Sequence, residues 1–587
     1  MSFEKKKIGR RLLSAAFVAG AIAIPSMTGG CSLIMGDLGA TQCDSDLACW
    51  NNPAFSATDT NGQHQYTCQR GICAPVVGVI SNTPQASTAC VSTQKCFEDH
   101  GNQPWICQRP GVDPCVRVES EDCTKVERKA ANGTVEFTTP GYAGALAEDS
   151  VLIGTITPLT YTPADKPNQR LPLAFMQDAL AAVDMGIAEW RTQMQGIAYG
   201  DASRPVFAVH CNSNFDVFGE VPKRAARHLI EVLKVKGLIV GADEELAAIA
   251  PMIAEAKIPT VCVECEKEVP AAVQGLAVRV KPSATAQAPL AVDWTKRLET
   301  KIRSERSLPA ATNVKALLVW QENGAPQIYG TLLASTIELN AKKATENDAQ
   351  SFKQLKIGDG LTRTVDMHVI AQTEIVPFLP DIVVLTGGFR TITETIYETE
   401  SQWPANKPRP EYVLDSVAAN QATIDAVLTF AADRDDLRKR ITGTKLVTRA
   451  ANMNVFKAAF AKPADDIWTG YEGLYALSYA MSAQATTPGF DGNFTGAGFT
   501  RLVDGAPSPF HAAAIPAAVS ELRAGRAVDV DGISTSLDWD LATGEVKSAK
   551  FSIFCVAGSA GSYKIVENAG ITYDAKTNTT TGTFACP

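Results

Sequence analysis

Two apolar rhythms alternate along the chain from Val151 onward. Short runs rich in β-branched residues, "VLIGTITPLT", "PVFAVHC", "GLIVG" and "IPTVCVEC", have the length and composition of buried strands. Between the first two, Leu173, Met176, Leu180, Val183 and Ile187 recur at helical spacing. "VPKRAARHLIEVL" predicts a second helix with Pro222 near its start, where a missing N–H costs nothing. "DEELAAIAPMIAEA" predicts a third, with acidic residues in its first turn. Strands alternating strictly with helices imply a parallel sheet covered on both faces, because each parallel connection needs a crossover.

The rhythm then restarts. "VKALLVWQ" predicts a strand, "QIYGTLLASTIELNAKK" a helix, "DIVVLTGGF" a strand ending in a glycine turn, and "EYVLDSV" another strand. "IWTGYEGLYALSYAMSAQ" predicts a long helix, and further strands lie near "STSLDWD" and "KFSIFCVA". "TYDAKTNTTTGTF" reads as a hairpin. The chain therefore carries two α/β halves in succession.

This order resembles the type I periplasmic binding proteins, specifically the receptors for leucine, isoleucine, valine and related amides. The resemblance spans roughly residues 150–565. "IGTITPLT" is similar to the family's opening strand and its Pro-Leu-Thr loop, and "VKGLIVGADEELAAIAPMIAEAKIPTV" to its strand–helix–strand signature. "VKALLVWQENGAPQIYG" resembles the start of the second lobe, and "PDIVVLTGGF" the strand leading to that lobe's ligand loop. "TGYEGLYALSYAMSAQ" resembles the helix returning to the first lobe, and "DGISTSLDWDLATGEVKSAKFSIFCV" the closing segment. The resemblance implies two Rossmann-like, parallel-sheet lobes joined by a hinge. The first lobe takes in about 150–310 and 420–515, the second about 311–419 and 516–565, and 566–587 forms a C-terminal hairpin extension.

In such receptors a small ligand sits between the lobes, at the carboxyl ends of the strands. Position along the strands then nominates Thr157, Thr160, Ala242, Asp243 and Glu264 in the first lobe. In the second it nominates Tyr329, Thr386, Gly387, Gly388, Phe389, Asp415 and Ser416. The glycines would let backbone approach a ligand, and Phe389 could stack on it. Trp468 and Tyr471, aromatic at helical spacing, read first as core. Family members usually offer Ser or Thr hydroxyls where this chain has Ala242-Asp243-Glu244-Glu245, and again where it has Glu264 and Cys265. Three carboxylates there would cap the helix's own N–H groups and repel a ligand carboxylate. Either the ligand is neutral or cationic, with Asp243 or Glu264 as its polar handle, or the cleft no longer takes a ligand.

The N-terminus has a different character. "MSFEKKKIGRR" is basic, "LLSAAFVAGAIAIPSM" is a short apolar segment, and small residues follow in "TGGC". This is the plan of a secretory signal. "MTGGCS" resembles a bacterial lipobox, with Thr28 where that pattern prefers Leu. The resemblance implies a signal peptide over 1–30 and lipidation of Cys31; the plain alternative is an ordinary secretory leader with Cys31 as a spare thiol. No other stretch reaches the ~20 apolar residues of a spanning helix, so a lipid would be the only membrane anchor.

Of 15 cysteines, nine fall between Cys43 and Cys123. Clustering without zinc-type spacing argues for disulfides and an oxidising compartment. Residues 31–125 show two tandem four-cysteine units, Cys43, Cys49, Cys68 and Cys73, then Cys90, Cys96, Cys107 and Cys115, with Cys123 left over. They read as a stalk lifting the main domain from the membrane, or less readily as a binding module loosely like EGF modules. Cys211, Cys262, Cys265, Cys555 and Cys586 complete the candidates, and the pairing is open. "CVEC" lacks a second pair or nearby histidines, so it is not read as a metal site.

Hydrophobic content of 45% and charged content of 20% are ordinary for a globular chain, and with a net charge of -9 nothing is basic enough to suggest nucleic acid, so no nucleic-acid partner is expected. No HExxH, G-x-S-x-G, Walker loop or well-placed G-x-G-x-x-G is present, so no enzyme and no cofactor are expected. The expectation is a lipid-anchored solute-binding protein of the bacterial envelope, at the periplasmic face or outer membrane. It would hold a small polar ligand of amino-acid or amide type and partner an ABC permease. The competing expectation is an envelope sensory or protein-interaction lipoprotein with a degenerate cleft.

Overall fold

Val151–Thr157 (β1) is buried at every position, as an unbroken apolar run must be in a strand covered on both faces. It pairs in parallel with β2 (Val206–Asn212) and β3 (Gly237–Val240), and β4 (Thr260–Cys262) and β5 (Ala277–Arg279) continue the sheet. The order is β2-β1-β3-β4-β5. The same order recurs in the second half, where β6 (Ala316–Gln321), β7 (Phe352–Ile357), β8 (Ile382–Thr386), β9 (Glu411–Leu414) and β10 (Ile441–Leu446) lie parallel as β7-β6-β8-β9-β10. Beyond β10 this sheet turns antiparallel, through β11 (Lys550–Ala557), β12 (Ile571–Asp574) and β13 (Thr579–Gly582). This computed structural model describes residues 66–69, 72–75 and 89–587, the last with breaks at 101–103, 124–125, 130–134, 139–149, 162–170, 217–218, 323, 359–364, 417, 432, 461–467 and 560–561.

Helices cover both faces of each sheet. In the first lobe α1 (Ala174–Met194) lies on one face and α2 (Glu220–Arg227) and α3 (Asp243–Ala256) on the other. The second lobe has α4 (Ala288–Glu305), α5 (Gly324–Thr336), α6 (Phe389–Gln402) and α7 (Gln421–Phe430). α8 (Trp468–Ala485) and α9 (Ile515–Arg523) return to the first. Strand side chains alternate between faces. Ile153, Val261 and Val278 pack with Leu180, Val183 and Trp190 of α1 and Leu474 and Leu477 of α8. Leu152, Ile156, Leu238 and Val240 pack with Leu246, Ile249 and Ile253 of α3. The second sheet divides in the same way between Leu318, Trp320 and Val384 on the α4–α5 face and Leu317, Val319, Val383 and Leu385 on the α6–α7 face. Every residue of α8 except Gln484 is buried, the state of a helix that is apolar all round.

Two glycines explain close approaches. A Cβ at Gly241 would stand 2.7 Å from Pro158 Cδ and 2.9 Å from Thr157 Cα, so glycine lets the end of β3 close on the end of β1. A Cβ at Gly330 would meet Trp320 Cγ at 2.5 Å, so the Tyr-Gly of "QIYG" lets α5 lie directly on β6.

The chain crosses between lobes three times: after β5 into α4, after β10 at 447–449, and before β11. At the last two, Val447 N–H bonds to Lys550 O at 2.8 Å and Arg449 N–H to Ile533 O at 2.8 Å. Lobe membership differs from the expected boundaries. The stretches 288–305 and 421–446, expected in the first lobe, belong to the second, because α4 packs into the second core and β10 pairs with β9. Ile515, Val519, Leu522, Val530, Ile533, Leu537 and Val546, from a stretch expected mainly in the second lobe, are buried in the first lobe's core. The C-terminal hairpin is an edge of the second sheet.

The chain divides into two compact units, Met1–Thr88 and Ala89–Pro587. In the first, an antiparallel pair, Tyr66–Gln69 with Ile72–Pro75, places Cys68 opposite Cys73. The signal peptide, Cys31, Cys43, Cys49 and the side chains of Cys68 and Cys73 lie outside the described residues. The second cysteine unit belongs to the larger body. Its disulfides are Cys90–Cys107 and Cys96–Cys115, and Cys123 bonds to Cys211 at the end of β2. Ile106, Val118 and Cys123 are buried in the first lobe's α2–α3 core. Asp122 takes a two-pronged ion pair from Arg224, with both contacts at 2.9 Å, and His228 Nε2 bonds to Val118 O at 2.8 Å. This unit is therefore docked on the first lobe and does not act as a spacer. Cys262 pairs with Cys265, and Cys555 with Cys586.

Candidate ligand cleft

In a β2-β1-β3 arrangement the crevice opens beyond the carboxyl ends of β1 and β3, where the strand order reverses. Thr157 ends β1 and is 2% exposed. Its hydroxyl has no hydrogen-bond partner among the described residues. Thr160 is fixed, accepting from Asn212 Nδ2 at 2.8 Å and donating to Asn214 Oδ1 at 2.8 Å. Asn212 Oδ1 also accepts from the amides of Leu159, Thr160 and Asn214. Asn212 thus sets the whole loop after β1.

The acids after β3 act differently from the expected caps. Ala242 is the cap residue of α3 and makes no side-chain capping bond. Asp243 reaches to the loop after β4 and accepts from the amides of Glu266 at 3.1 Å and Lys267 at 3.0 Å. Burial raises its carboxyl above the usual range while those two amides oppose the rise. Glu244 pairs with Lys267 at 3.0 Å. Glu245 is 3% exposed, accepts from Ser213 Oγ at 2.6 Å and is pushed up to about 7 by burial.

Glu264 follows β4. It pairs with Lys281 at 2.5 Å and accepts from the Thr469 hydroxyl at the head of α8. Glu266, two residues on, lies 3.9 Å from the same lysine. Burial pushes Glu266 up to about 7; Lys281 opposes this, and Asp243, Asp415 and Glu264 add to it. Asp415 belongs to the second lobe, and the two lobes approach each other beside Glu244. A Cβ on Gly324 of the second lobe would stand 3.9 Å from Glu244 of the first.

On the second lobe Asp415 organises the predicted residues. One oxygen accepts from the Thr386 hydroxyl at 2.6 Å and Gly387 N–H at 3.2 Å, and the other from Ala418 N–H at 3.1 Å. Gly388 N–H donates to Gln321 Oε1 at 2.9 Å. Ser416 N–H donates to Gln287 Oε1 at 3.3 Å, and Thr444 Oγ1 to the same atom at 2.6 Å. Tyr329 is 2% exposed; burial raises its phenol, with Asp415 adding and Thr444 opposing. Phe389, at the first turn of α6, is 54% exposed.

The structure thus gathers the predicted residues in two polar clusters, Asp243 with the loop that carries Glu264 in the first lobe and Asp415 with Thr386 and Gly387 in the second. Trp468 and Tyr471 are buried in the first-lobe core, where the Tyr471 hydroxyl donates to Glu189 at 2.6 Å. Sequence reasoning missed Glu266, Lys281, Asn212, Gln287 and Gln321. Glu266, Lys281, Asn212 and Gln321 lie at or just past a strand's carboxyl end, the signal that found the others. A cavity of about 620 Å³ lies elsewhere, lined by His368, Arg390, Tyr397, Glu398 and Phe430 on the outer helices of the second lobe. None of the predicted residues lines it. The sulfurs of Cys90, Cys96 and Cys107 gather closely, but disulfides consume all three.

Two parallel sheets of matching order joined by three crossings make the two-lobed fold of type I periplasmic binding proteins. No protein-family model matches the chain, and no curated protein matches it. Among solved structures it is similar to a solute-binding protein of an ABC transporter from Rhodopseudomonas palustris BisB5 in complex with 3,4-dihydroxybenzoic acid: 14% identity, 73% of this chain and 98% of that one covered, TM-score 0.48. A leucine-binding protein from Thermotoga maritima MSB8 aligns at 14% identity over 71% of this chain and 97% of its own, TM-score 0.46. An ABC transporter substrate-binding protein from Sphaerobacter thermophilus aligns at 15% identity over 74% and 99%, TM-score 0.45. Among the described residues no helix is long and apolar enough to cross a membrane.

Proposed function

We propose that this chain is an extracytoplasmic solute-binding protein, lipid-anchored through Cys31, that holds a small polar ligand between its lobes and presents it to an ABC permease. The observation that carries this reading is the meeting of the two lobes at their strand-end loops, where a Cβ on Gly324 of the second would stand 3.9 Å from Glu244 of the first. The ligand is neutral or cationic. Asp243, Glu244, Glu264, Glu266 and Asp415 make the zone acidic, and a ligand carboxylate there would be repelled at short range.

A second reading has its own support. Asp243, Glu264 and Asp415 each already accept from groups of the protein, as in a cleft given over to holding loops in place for a protein partner. A thermal-shift screen of the oxidised protein, begun at Ser32, separates the two. A ligand at a hundred times its Kd adds roughly 2.7 kcal/mol to native stability. Amides, polyamines or sugars should raise the melting midpoint with concentration. A rise with leucine or hydroxybenzoates alone would overturn the charge argument. A cooperative melt that no compound moves would favour the protein-contact reading.

A further inference from the structure

The loop after β4 is tied down at several points. The Cys262–Cys265 bridge closes its start, with both residues fully buried. Asp243 takes the amides of Glu266 and Lys267. Glu266 O accepts from Ala284 N–H at 3.0 Å, inside the crossing that runs from β5 into α4. Lys267 O accepts from the guanidinium of Arg279, the last residue of β5. The same guanidinium pairs with Glu545 through its other terminal nitrogen. Glu545 lies on a hairpin, Trp539–Asp540 with Glu545–Val546, that runs directly into the crossing before β11. The hairpin is itself seated on β5. Arg279 N–H donates to Gly544 O at 3.1 Å, and Trp539 Nε1 donates to Arg279 O at 2.7 Å. Arg279 is fully buried.

A guanidinium is planar and offers its donors in a fixed fork. Its two terminal nitrogens therefore hold Lys267 O and Glu545 at a set spacing, and a charge-assisted bond in a buried setting is a strong one. We propose that Arg279 is a positioning residue that couples the cleft to the hinge: it makes the loop after β4 and the chain entering β11 move as one piece. The inference rests on the two-lobed receptor reading for its hinge, but the coupling itself needs no ligand. A solute that shifts the loop shifts the pivot of the second lobe with it. Coupling of this kind runs through packed side chains and hydrogen-bond networks. It is measured as non-additivity between substitutions at its two ends.

The test is a double-mutant cycle read by hydrogen exchange on the full, oxidised chain without ligand. Asp243→Ala loosens the loop at a point that Arg279 does not touch. Glu545→Ala cuts the tie at its less buried partner, whose side chain is 28% exposed. The probe is Lys547 N–H, which bonds to Asp538 O at 2.8 Å where the crossing begins. Its rate is taken relative to the amides of β1, which report any global loosening. Asp243→Ala alone should speed exchange at Lys547 by between roughly twofold and a hundredfold, the range of coupling between linked residues. In the Glu545→Ala background the same substitution should leave that amide unchanged. Arg279→Met keeps the buried stem and removes both contacts, so it should act as Glu545→Ala does and decides the matter if that variant folds poorly. An Asp243→Ala effect that stops at Glu266 and Lys267, or one that reaches Lys547 equally in both backgrounds, overturns the proposal. Small-angle X-ray scattering with the amides, polyamines and sugars of the thermal-shift screen keeps the two readings apart. Compaction by one of them, with an additive cycle, would remove the coupling and leave the receptor reading standing. A coupled cycle with no compaction by any of them would do the reverse.

Discussion

Asp243 shows what one side chain does that its neighbours in sequence do not reveal. It stands at the start of a helix, where an acid is ordinarily a local cap. Its acceptor oxygens are instead taken by amides 23 and 24 residues further on. Asp243→Ala should therefore speed hydrogen exchange at the Glu266 and Lys267 amides and cost roughly 1–3 kcal/mol of stability, the usual penalty for leaving buried groups unpaired; a variant that frays only the first turn of α3 would restore the capping account. Glu472 makes a second point. It is fully buried in α8, accepts from Ser534 N–H at 2.8 Å, and is pushed up to about 8 by burial, with the Ser534 and Ile533 bonds opposing. The folded state then holds a proton that the unfolded chain has released over the span from about 4.3 to 8. Stability is therefore greatest at the acid end of that span and is lost as pH rises through it, by at most about 1.4 kcal/mol per pH unit for one group. Urea titrations should give a higher midpoint at pH 6 than at pH 8.5, and Glu472→Gln should flatten the difference. The acids were legible in sequence as acids near strand or helix ends. Their partners were not, because a partner is a fact about folded space.

Among the elements, the strands announced by unbroken apolar runs, β1, β3, β4, β6 and β8, were readable because burial on both faces leaves no room for polar residues. β10 was not. Its sequence is Ile-Thr-Gly-Thr-Lys-Leu, yet five of its six residues are buried, since threonine hydroxyls are satisfied at positions such as Thr442 and Thr444. Missing this strand is what misplaced the lobe boundary. The odd cysteine of the N-terminal cluster was countable, but its partner in β2 lies 88 residues away. A loop of that length gives the Cys123–Cys211 bridge a stabilisation of about 4–5 kcal/mol in the chain-entropy account. Replacing both residues with serine should lower the denaturation midpoint and expose the 89–123 segment to limited proteolysis. A variant that melts like the parent and resists protease would show that Asp122–Arg224 and the buried Val118 hold the segment unaided.

At the scale of the molecule, the alternation of strand and helix was enough to read two α/β lobes, because crossover geometry leaves few other arrangements. Which segments cross the hinge was not readable, since a crossing changes the neighbours of a segment and leaves its periodicity intact. The receptor reading makes a claim that only the whole body can satisfy. A bound solute should protect the amides near 241–245, 264–267 and 415–418 from hydrogen exchange together, in one concentration range. Protection confined to one lobe, or to the helices around His368 and Tyr397, would mean that the solute binds a surface and leaves the hinge idle.

The Cys123–Cys211 bond also sets how the molecule carries load. Tension applied from the N-terminal side reaches Cys123 and passes through sulfur straight into β2, which lies beside β1 in the first sheet. The intervening chain is relieved of that tension. If the lobes hinge as proposed, the first is the fixed part and the second, joined to it by three crossings, is the part that turns.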